Sequence, residues 1–204
     1  MLIEAKNLSF SYGKGVLFEN INLQISSSSR IVIYGANGSG KSTFLSILAG
    51  IASPNLGEII KQDNLQISYL FQNSFDQFVA PTVIEDVAFS LLASGVNPKI
   101  AQQKAMDMLE KFEISHLADR SIYYLSGGEK RLVAIAGALI KDADLYLFDE
   151  PFNELDDVKS ALTLANLNAK NKPFVVITHS KKEILSKEAQ CFLFTANGLL
   201  KQEQ

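Results

Sequence analysis

The sequence has one cysteine, no tryptophan and no hydrophobic run long enough to cross a bilayer among its 204 residues. The single Cys191 excludes an internal disulfide framework, and its apolar neighbours predict a buried thiol in a reducing compartment. A bilayer span requires roughly 18 consecutive apolar residues, and the first residues also lack the basic and apolar segments of a signal peptide. We therefore expect a cytoplasmic protein that needs a partner to hold it at any membrane.

An excess of positive charge is also absent. The net charge is −3 and the pI is near 5.5, so the composition gives no indication of binding to nucleic acid. The hydrophobic fraction of 47% is sufficient for a sizeable core, and the chain length predicts one domain or one domain with a subdomain.

A glycine-rich segment between a predicted strand and a predicted helix carries the clearest chemical signal. It fits the pattern G-x-x-x-x-G-K-[ST] and follows the apolar run Ile31–Tyr34. Glycines let successive backbone N–H groups converge on one anion, and the helix N-terminus adds the positive end of its dipole. Lys41 supplies a charge for the β- and γ-phosphates, and Ser42 supplies a hydroxyl for Mg²⁺. The predicted phosphate-binding residues are Gly35, Ala36, Asn37, Gly38, Ser39, Gly40, Lys41, Ser42 and Thr43.

Polar residues follow three other predicted strands, at the ends where open parallel sheets bind their ligands. Asp149 is suited to hold Mg²⁺ and Glu150 to orient or deprotonate a water molecule, although two surface acids before a turn at Pro151 are the alternative. His179 is placed to contact a γ-phosphate, but a lone histidine is more often structural. The amide of Gln72 is placed to reach Mg²⁺ or the attacking water.

Two further positions have both a functional and a structural interpretation. Ser126, Gly127 and Gly128 begin a predicted helix, with Glu129 completing a capping box. This segment is either an ordinary helix cap or an anion site that closes on the nucleotide of a second subunit. Tyr12 is suited either to stack on an adenine ring or to pack on the core.

The periodicity divides the chain into three parts. Short strand-like runs, including Leu2–Ala5 and Leu8–Tyr12, open the sequence, and buried strands alternate with helices at its end. Between about residues 72 and 140 the pattern is helical, with a capping box from Thr82 to Glu85 and a helix start at Pro98. These features predict an α/β core with a helical insert.

The order of these segments resembles the ATPase domain of ABC transporters. Leu125–Arg131 is similar to the ABC signature, with Glu129 in place of the usual final glutamine. The resemblance covers essentially the whole chain, and its motifs follow in the family order at Gly35–Thr43, Gln72, Leu125–Arg131, Asp149–Glu150, Asp156 and His179. It implies one ABC ATPase domain over residues 1–204, a P-loop NTPase. Such a domain has a parallel-sheet core, an N-terminal antiparallel β-subdomain and an inserted α-helical subdomain at about 72–140.

The resemblance also implies a role for each candidate residue, with ATP and Mg²⁺ as cofactors. Tyr12 would stack on adenine, Glu150 would be the general base or water-positioner, and His179 would sense the γ-phosphate. The implied Mg²⁺ ligands are Ser42, Gln72 and Asp149. The residues implied to act across a dimer are Ser126, Gly127, Gly128 and Glu129, which close on the partner's ATP, and Asp156, which couples the two sites.

Two segments are similar to the ATPases of energy-coupling factor (ECF) transporters, namely Leu70–Phe89 and Val133–Leu139. That subfamily carries a second glutamine after the first, and Gln77 matches it. The resemblance implies import of a vitamin or a transition-metal ion. It implies a peripheral position at the cytoplasmic face of the membrane, with a transmembrane coupling protein, a substrate-binding membrane protein and a second ATPase domain, identical or related, as partners.

Three alternatives remain at this stage. The first is the ATPase of a different ABC transporter, such as an exporter. The second is a non-transport ABC protein acting on DNA or ribosomes, for which long inserts or two ATPase domains are usual. The third is a nucleotide-binding module without hydrolysis, against which Lys41, Asp149, Glu150 and His179 argue.

Overall fold

The computed structural model describes residues 1–13, 15–179 and 189–202. The strands are β1 (Ile3–Tyr12), β2 (Gly15–Ile25), β3 (Arg30–Tyr34), β4 (Leu56–Lys61), β5 (Ile67–Leu70), β6 (Leu145–Asp149), β7 (Phe174–Thr178), β8 (Gln190–Thr195) and β9 (Gly198–Gln202). The helices are α1 (Lys41–Ala49), α2 (Val83–Ala93), α3 (Pro98–Lys111), α4 (Gly127–Ile140) and α5 (Asp157–Ala169). Single 3₁₀ turns cover Ser74–Asp76, Ser115–Leu117 and Ile122–Tyr124.

The chain folds as two compact units. The first comprises Met1–Tyr69, Ala143–Glu150 and Lys172–Gln204, and the second comprises Leu70–Asp142 and Pro151–Asn171. The predicted helical insert, at about 72–140, lies within the second unit, to which the structure adds the segment that contains α5.

The first unit contains the two sheets. One has three antiparallel strands in the order β2-β1-β4. The other has six strands in the order β5-β6-β7-β3-β8-β9, in which β6, β7, β3 and β8 are parallel neighbours and β9 is antiparallel to β8. The predicted parallel core and antiparallel N-terminal strands are therefore confirmed, and β8 and β9 form an antiparallel hairpin.

The register of the parallel strands brings three chain segments to one edge of the sheet. Every residue of β6 and β7 is buried, as expected for strands that are covered on both faces. Tyr34 at the end of β3 pairs with Thr178, and Asp149 at the end of β6 pairs with Ile177. The glycine-rich loop, the acidic pair and His179 therefore leave the sheet at the same edge.

Two expectations about the first unit are wrong in detail. The two short strands predicted at the N-terminus form the single strand β1, because Asn7 adopts a left-handed conformation (φ 50°) at a bulge that bends the strand without ending it. The predicted buried thiol of Cys191 is only partly buried, because β8 lies next to the terminal strand of the sheet, and most residues of β8 are themselves only partly buried.

The second unit contains helices α2 to α5, and α3 and α4 begin where the sequence signals predict. Pro98 is the first residue of α3, and the Asn97 side chain accepts a hydrogen bond from the backbone N–H of Lys99. One face of this helix is buried, through Ala101, Ala105, Met108, Leu109 and the adjacent Phe112. At α4 the predicted capping box of Ser126 and Glu129 is present.

The capping box predicted at Thr82 does not form, although α2 does begin at the next residue. The Thr82 hydroxyl instead donates to the Glu85 carboxylate at 2.6 Å. The first two helical N–H groups, of Val83 and Ile84, donate to carbonyl oxygens of Arg120 and Ala118 at 3.1 and 2.9 Å. The two side chains of the predicted box therefore bond to each other, and tertiary contacts satisfy two of the helix donors instead.

Candidate active site

The glycine-rich loop links β3 to α1 in the first unit. Gly38 and Gly40 have φ angles of 74° and 100°, which L-residues with side chains rarely adopt. A Cβ atom at Gly40 would also lie 2.7 Å from the Leu17 side chain. Sequence and structure therefore agree that glycine is required at the point where the loop enters the helix.

Lys41 is held inside the loop by its own backbone. Its ammonium donates to the carbonyl oxygens of Gly35 and Ala36, both at 2.9 Å, and the residue is 6% exposed. Burial lowers the pKa of Lys41, while the nearby carboxylates of Glu150 and Asp149 oppose that shift. The loop therefore surrounds a buried positive charge with two acidic groups close by.

The N-terminus of α1 is suited to an anion. Gly40 provides no side-chain cap, and the first turn contains no acidic residue. The Ser39 hydroxyl is buried and has no hydrogen-bond partner among residues 1–13, 15–179 and 189–202. Free helical N–H groups, an unpaired hydroxyl and Lys41 together form a site with the chemistry that phosphate groups require.

Asp149 and Glu150 lie at the end of β6 in different conformations. Both are buried, with exposures of 2% and 5%. Glu150 has a φ of 49°, an uncommon conformation for a non-glycine residue that often accompanies function. Its backbone N–H still donates to the carbonyl oxygen of Ile177 at 2.9 Å, which fixes it to β7.

Glu150 and His179 form a pair that the sequence analysis did not predict. A carboxylate oxygen of Glu150 accepts a hydrogen bond from the backbone N–H of His179 at 3.2 Å and lies 2.9 Å from its Nδ1. The Glu150 side chain is 6% exposed, whereas that of His179 is 52% exposed. The pairing was detectable in principle, because both residues directly follow neighbouring parallel strands.

Tyr12 and Tyr69 also belong to the first unit. The ring of Tyr12 contacts the Phe10 ring edge-on at 4.9 Å between centroids and is otherwise exposed, at 66%. It is therefore available for stacking rather than buried in the core. Burial, and to a lesser extent the charge of Asp149, raises the pKa of Tyr69, so its hydroxyl stays protonated near the acidic pair.

The remaining candidates lie in the second unit. Gln72 is exposed after β5, and its backbone carbonyl accepts a hydrogen bond from Arg131 at 3.2 Å. Asp156 caps α5 by accepting from the backbone N–H of Lys159 at 2.8 Å. The Ser126 N–H and hydroxyl donate to the Glu129 carboxylate at 2.7 and 2.8 Å, and the N–H in particular lowers the pKa of Glu129.

The signature segment is closely packed at its two glycines, and backbone restricts the space at Gly128. The Glu154 carboxylate lies against Gly127, and a Cβ atom at Gly128 would be 2.9 Å from the Glu154 carbonyl oxygen. Glu154 itself has a φ of 66°. The chain after the acidic pair therefore folds onto the start of α4.

Comparison with known proteins gives a consistent result. The family model described as ABC transporter matches residues 18–153, which is most of the chain. The chain belongs to the ABC transporter ATP-binding family. This ABC protein is 34% identical to the energy-coupling factor transporter ATP-binding protein EcfA1 of Fusobacterium nucleatum, with 99% of this chain and 81% of the relative covered. It is 37% identical to EcfA of Methanothermobacter thermautotrophicus over 76% of this chain and 54% of that relative.

A solved structure extends the likeness to three dimensions. A dimeric ATP-binding cassette in a post-hydrolysis state, bound to ADP and Pi, matches with a TM-score of 0.89 and 25% identity, covering 99% of this chain and 98% of that one. The chain is therefore an ABC ATPase, the ATP-binding and ATP-hydrolysing subunit of a transporter. None of the helices formed by its described residues combines the length and apolar character that crossing a membrane requires.

Proposed function

We propose that this ABC ATPase powers an ECF-type importer of a vitamin or a transition-metal ion, from a peripheral position at the cytoplasmic face of the membrane. The observation that carries the proposal is the likeness to EcfA1 over 99% of the chain. The proposed partners are a transmembrane coupling protein, a substrate-binding membrane protein and a second ATPase domain, either identical or related.

In the proposed mechanism residues of the first unit bind the phosphates and the adenine of ATP. Gly35–Thr43 and Lys41 bind the phosphates, and the exposed ring of Tyr12 stacks on adenine. Mg²⁺, when bound, would neutralise developing charge on the phosphates and would be held by Ser42, Gln72 and Asp149. These hydroxyl, amide and carboxylate oxygens are the ligand types that Mg²⁺ prefers.

Glu150 is the proposed base or water-positioning residue, and its hydrogen bonds to His179 support this role. Because the His179 N–H and ring both face one carboxylate oxygen, the Glu150 side chain is held in a single orientation. An oriented carboxylate can position a water for attack on the γ-phosphate, and the exposed part of the His179 ring can contact that phosphate.

A dimer completes the proposed site. Ser126, Gly127, Gly128 and Glu129 of one subunit would close on the ATP that the other subunit holds, and Asp156 would couple the two sites. The dimeric cassette in the comparison supports this arrangement. Hydrolysis would then separate the two subunits and move the attached membrane partner.

The second unit has a surface that fits an apolar partner. A cleft of about 320 Å³ is lined by Phe75, Phe78, Val79, Ala80, Pro81, Ile122 and Tyr123. Phe75, Val79 and Tyr123 are 55%, 61% and 79% exposed. Gln77, the second glutamine of the ECF pattern, lies beside the cleft and accepts a hydrogen bond from the Phe71 N–H at 3.2 Å. We propose that an apolar helix end of the coupling protein docks here.

Affinity capture from native membranes tests the proposal. A tagged Glu150→Gln chain is purified from detergent-solubilised membranes, and its partners are identified by mass spectrometry. We expect a small multi-span coupling protein and a substrate-binding membrane protein. A chain that also carries Val79→Asp, in the cleft, is the control and should lose both. Capture of a different permease would contradict the ECF assignment alone, and capture of only proteins from the soluble fraction would contradict transport.

A further inference from the structure

Arg131 on α4 is a fully buried arginine that the sequence analysis did not identify as functional. It is 1% exposed. Its Nη1 donates to the carbonyl oxygens of Phe71 and Gln72 at 2.7 and 3.2 Å, and its Nε donates to the carbonyl oxygen of Pro151 at 3.3 Å. One side chain therefore connects α4 to two other segments of the second unit.

The geometry of these contacts is characteristic of arginine. A guanidinium presents several N–H donors in one rigid plane, so it can bond two separate backbone segments at once. Lysine carries a single ammonium and cannot reproduce this arrangement. Burial of an ion is unfavourable unless hydrogen bonds compensate it, and the three carbonyl oxygens provide that compensation here.

The two segments held by Arg131 are those that carry the proposed chemistry. Gln72 is a proposed Mg²⁺ ligand. It also begins the segment that leads to Phe75, in the cleft where we propose that the coupling protein docks; this cleft is called the partner cleft below. Pro151 directly follows Glu150, the proposed base. The signature segment that begins at Ser126 lies on the same helix as Arg131.

We propose that Arg131 is a positioning residue for ATP hydrolysis. Its guanidinium fixes the backbone at Gln72 and at Pro151 relative to α4, so that a movement of the signature helix or of the partner cleft changes the position of both segments. Arg131 acts through the two backbone segments that it holds, and it is not one of the groups proposed to contact ATP. This inference rests on the proposed roles of Gln72 and Glu150, but it does not depend on the identity of the membrane partners.

Steady-state kinetics of the full chain test the proposal. Arg131→Lys keeps the positive charge but removes the planar set of guanidinium N–H donors. Arg120→Lys is the matched control, because it makes the same change at an exposed position. We expect Arg131→Lys to lower kcat by about 10-fold or more with KM within about two-fold, because small displacements of catalytic groups are costly. Arg120→Lys should leave both constants unchanged. A kcat of Arg131→Lys within about two-fold of the wild type would overturn the proposal.

A double-mutant cycle with Gln72→Ala separates positioning from general stability. Because Arg131 acts partly through Gln72 and partly through Pro151, the fall in kcat of the double variant should be clearly smaller than the product of the two single effects. Effects that simply multiply, as expected for the control pair of Arg120→Lys with Gln72→Ala, would contradict the positioning role.

Thermal unfolding of each variant completes the test. Arg131→Gln is the second variant, because its amide can still donate to one carbonyl oxygen if the lysine is not tolerated. If neither variant keeps the wild-type unfolding profile, Arg131 serves folding and the proposal is overturned. A wild-type chain that does not hydrolyse ATP would contradict the proposed roles of Gln72 and Glu150. Failure to capture membrane partners would contradict only the proposal of an ECF-type importer.

Discussion

Two helices of this ABC ATPase begin after a serine- and glycine-containing segment, yet their first N–H groups have different environments. The start of α1 follows Gly40, has no side-chain cap and has no acid in its first turn. The start of α4 is closed by Ser126 and Glu129, whose side chains and backbone satisfy each other.

This difference shows that a helix N-terminus is not by itself an anion site. At α1 the N–H groups stay available and a buried lysine ammonium lies beside them, so an anion can replace the missing cap. At α4 a carboxylate of the chain already satisfies the Ser126 N–H. A phosphate would therefore gain less at α4 than at α1.

The largest expected effect comes from removing the charge at α1. Lys41→Ala should abolish ATP hydrolysis, with a loss of more than about 100-fold, and should weaken nucleotide binding, because Lys41 is the one cationic side chain of the Gly35–Thr43 loop and supplies the charge for the β- and γ-phosphates. Phosphate release and fluorescent-nucleotide titration measure the two effects. Lys99→Ala, at an exposed position of α3, is the control. Unchanged turnover in Lys41→Ala would remove the assignment of the phosphate loop.

The second prediction separates binding at α1 from chemistry at the end of β6. Glu150→Gln should bind ATP normally and lower kcat by about 100-fold, because the amide cannot accept a proton. With ATP and Mg²⁺ the variant should elute as a dimer in size-exclusion chromatography. Glu113→Gln, at an exposed position, should keep full activity. A variant that stays monomeric under these conditions would argue against the dimer model.

The third prediction concerns Asp86, another residue of the second unit whose carboxylate accepts hydrogen bonds from backbone N–H groups. Asp86 is buried and accepts hydrogen bonds from Val79 and Ala80 N–H at 2.7 and 3.0 Å on one oxygen. Asp86→Ala should lower the free energy of unfolding by about 1–3 kcal/mol, because both donors lose their partner. Asp86→Asn keeps an oxygen in place and should be tolerated. Urea unfolding of the two variants makes the comparison.

Comparison of the wild type with Asp86→Asn also predicts how the free energy of unfolding depends on pH. Burial raises the pKa of Asp86 above its ordinary value, although the two backbone hydrogen bonds oppose the shift. Above the unfolded pKa of about 4, the folded wild type must hold a charge that burial disfavours, so its stability falls relative to Asp86→Asn as pH rises to the folded pKa. Unfolding measured from pH 4 to 7 checks the sign. A wild type that gains stability over Asp86→Asn on this rise would contradict it.

The smallest effect tests the caps. Ser126→Ala should lower the free energy of unfolding by about 1 kcal/mol, because α4 loses a side-chain cap that the structure contains. Thr82→Val should change it by less than about 0.5 kcal/mol, because Thr82 makes no cap hydrogen bond to α2. Equal losses in the two variants would mean that the contrast between these helix starts has no energetic consequence.

Local patterns predicted the features that depend on neighbouring residues. The phosphate loop, the buried strands β6 and β7 and the start of α4 follow from spacing, apolar runs and a four-residue capping signal. The capping box predicted at Thr82 does not form, because residues distant in sequence contribute to this helix start. The hydroxyl and carboxylate that would form it bond to each other, and the neighbouring donors of Val83 and Ile84 bond to Arg120 and Ala118, which are distant in sequence. The roles of the site residues, by contrast, stay predictions that the experiments above address.

By itself the sequence determined the glycine-rich loop, the helix starts and the family, because each depends on residues within a few positions or on their order along the chain. Only the tertiary structure decided that Glu150 pairs with His179, that Asp86 holds the chain at Val79 and Ala80, and that Arg131 joins Gln72 to Pro151. These contacts depend on strand register and on the pairing of buried hydrogen-bond donors with acceptors. Folding alone brings those groups together, and no short-range pattern encodes them.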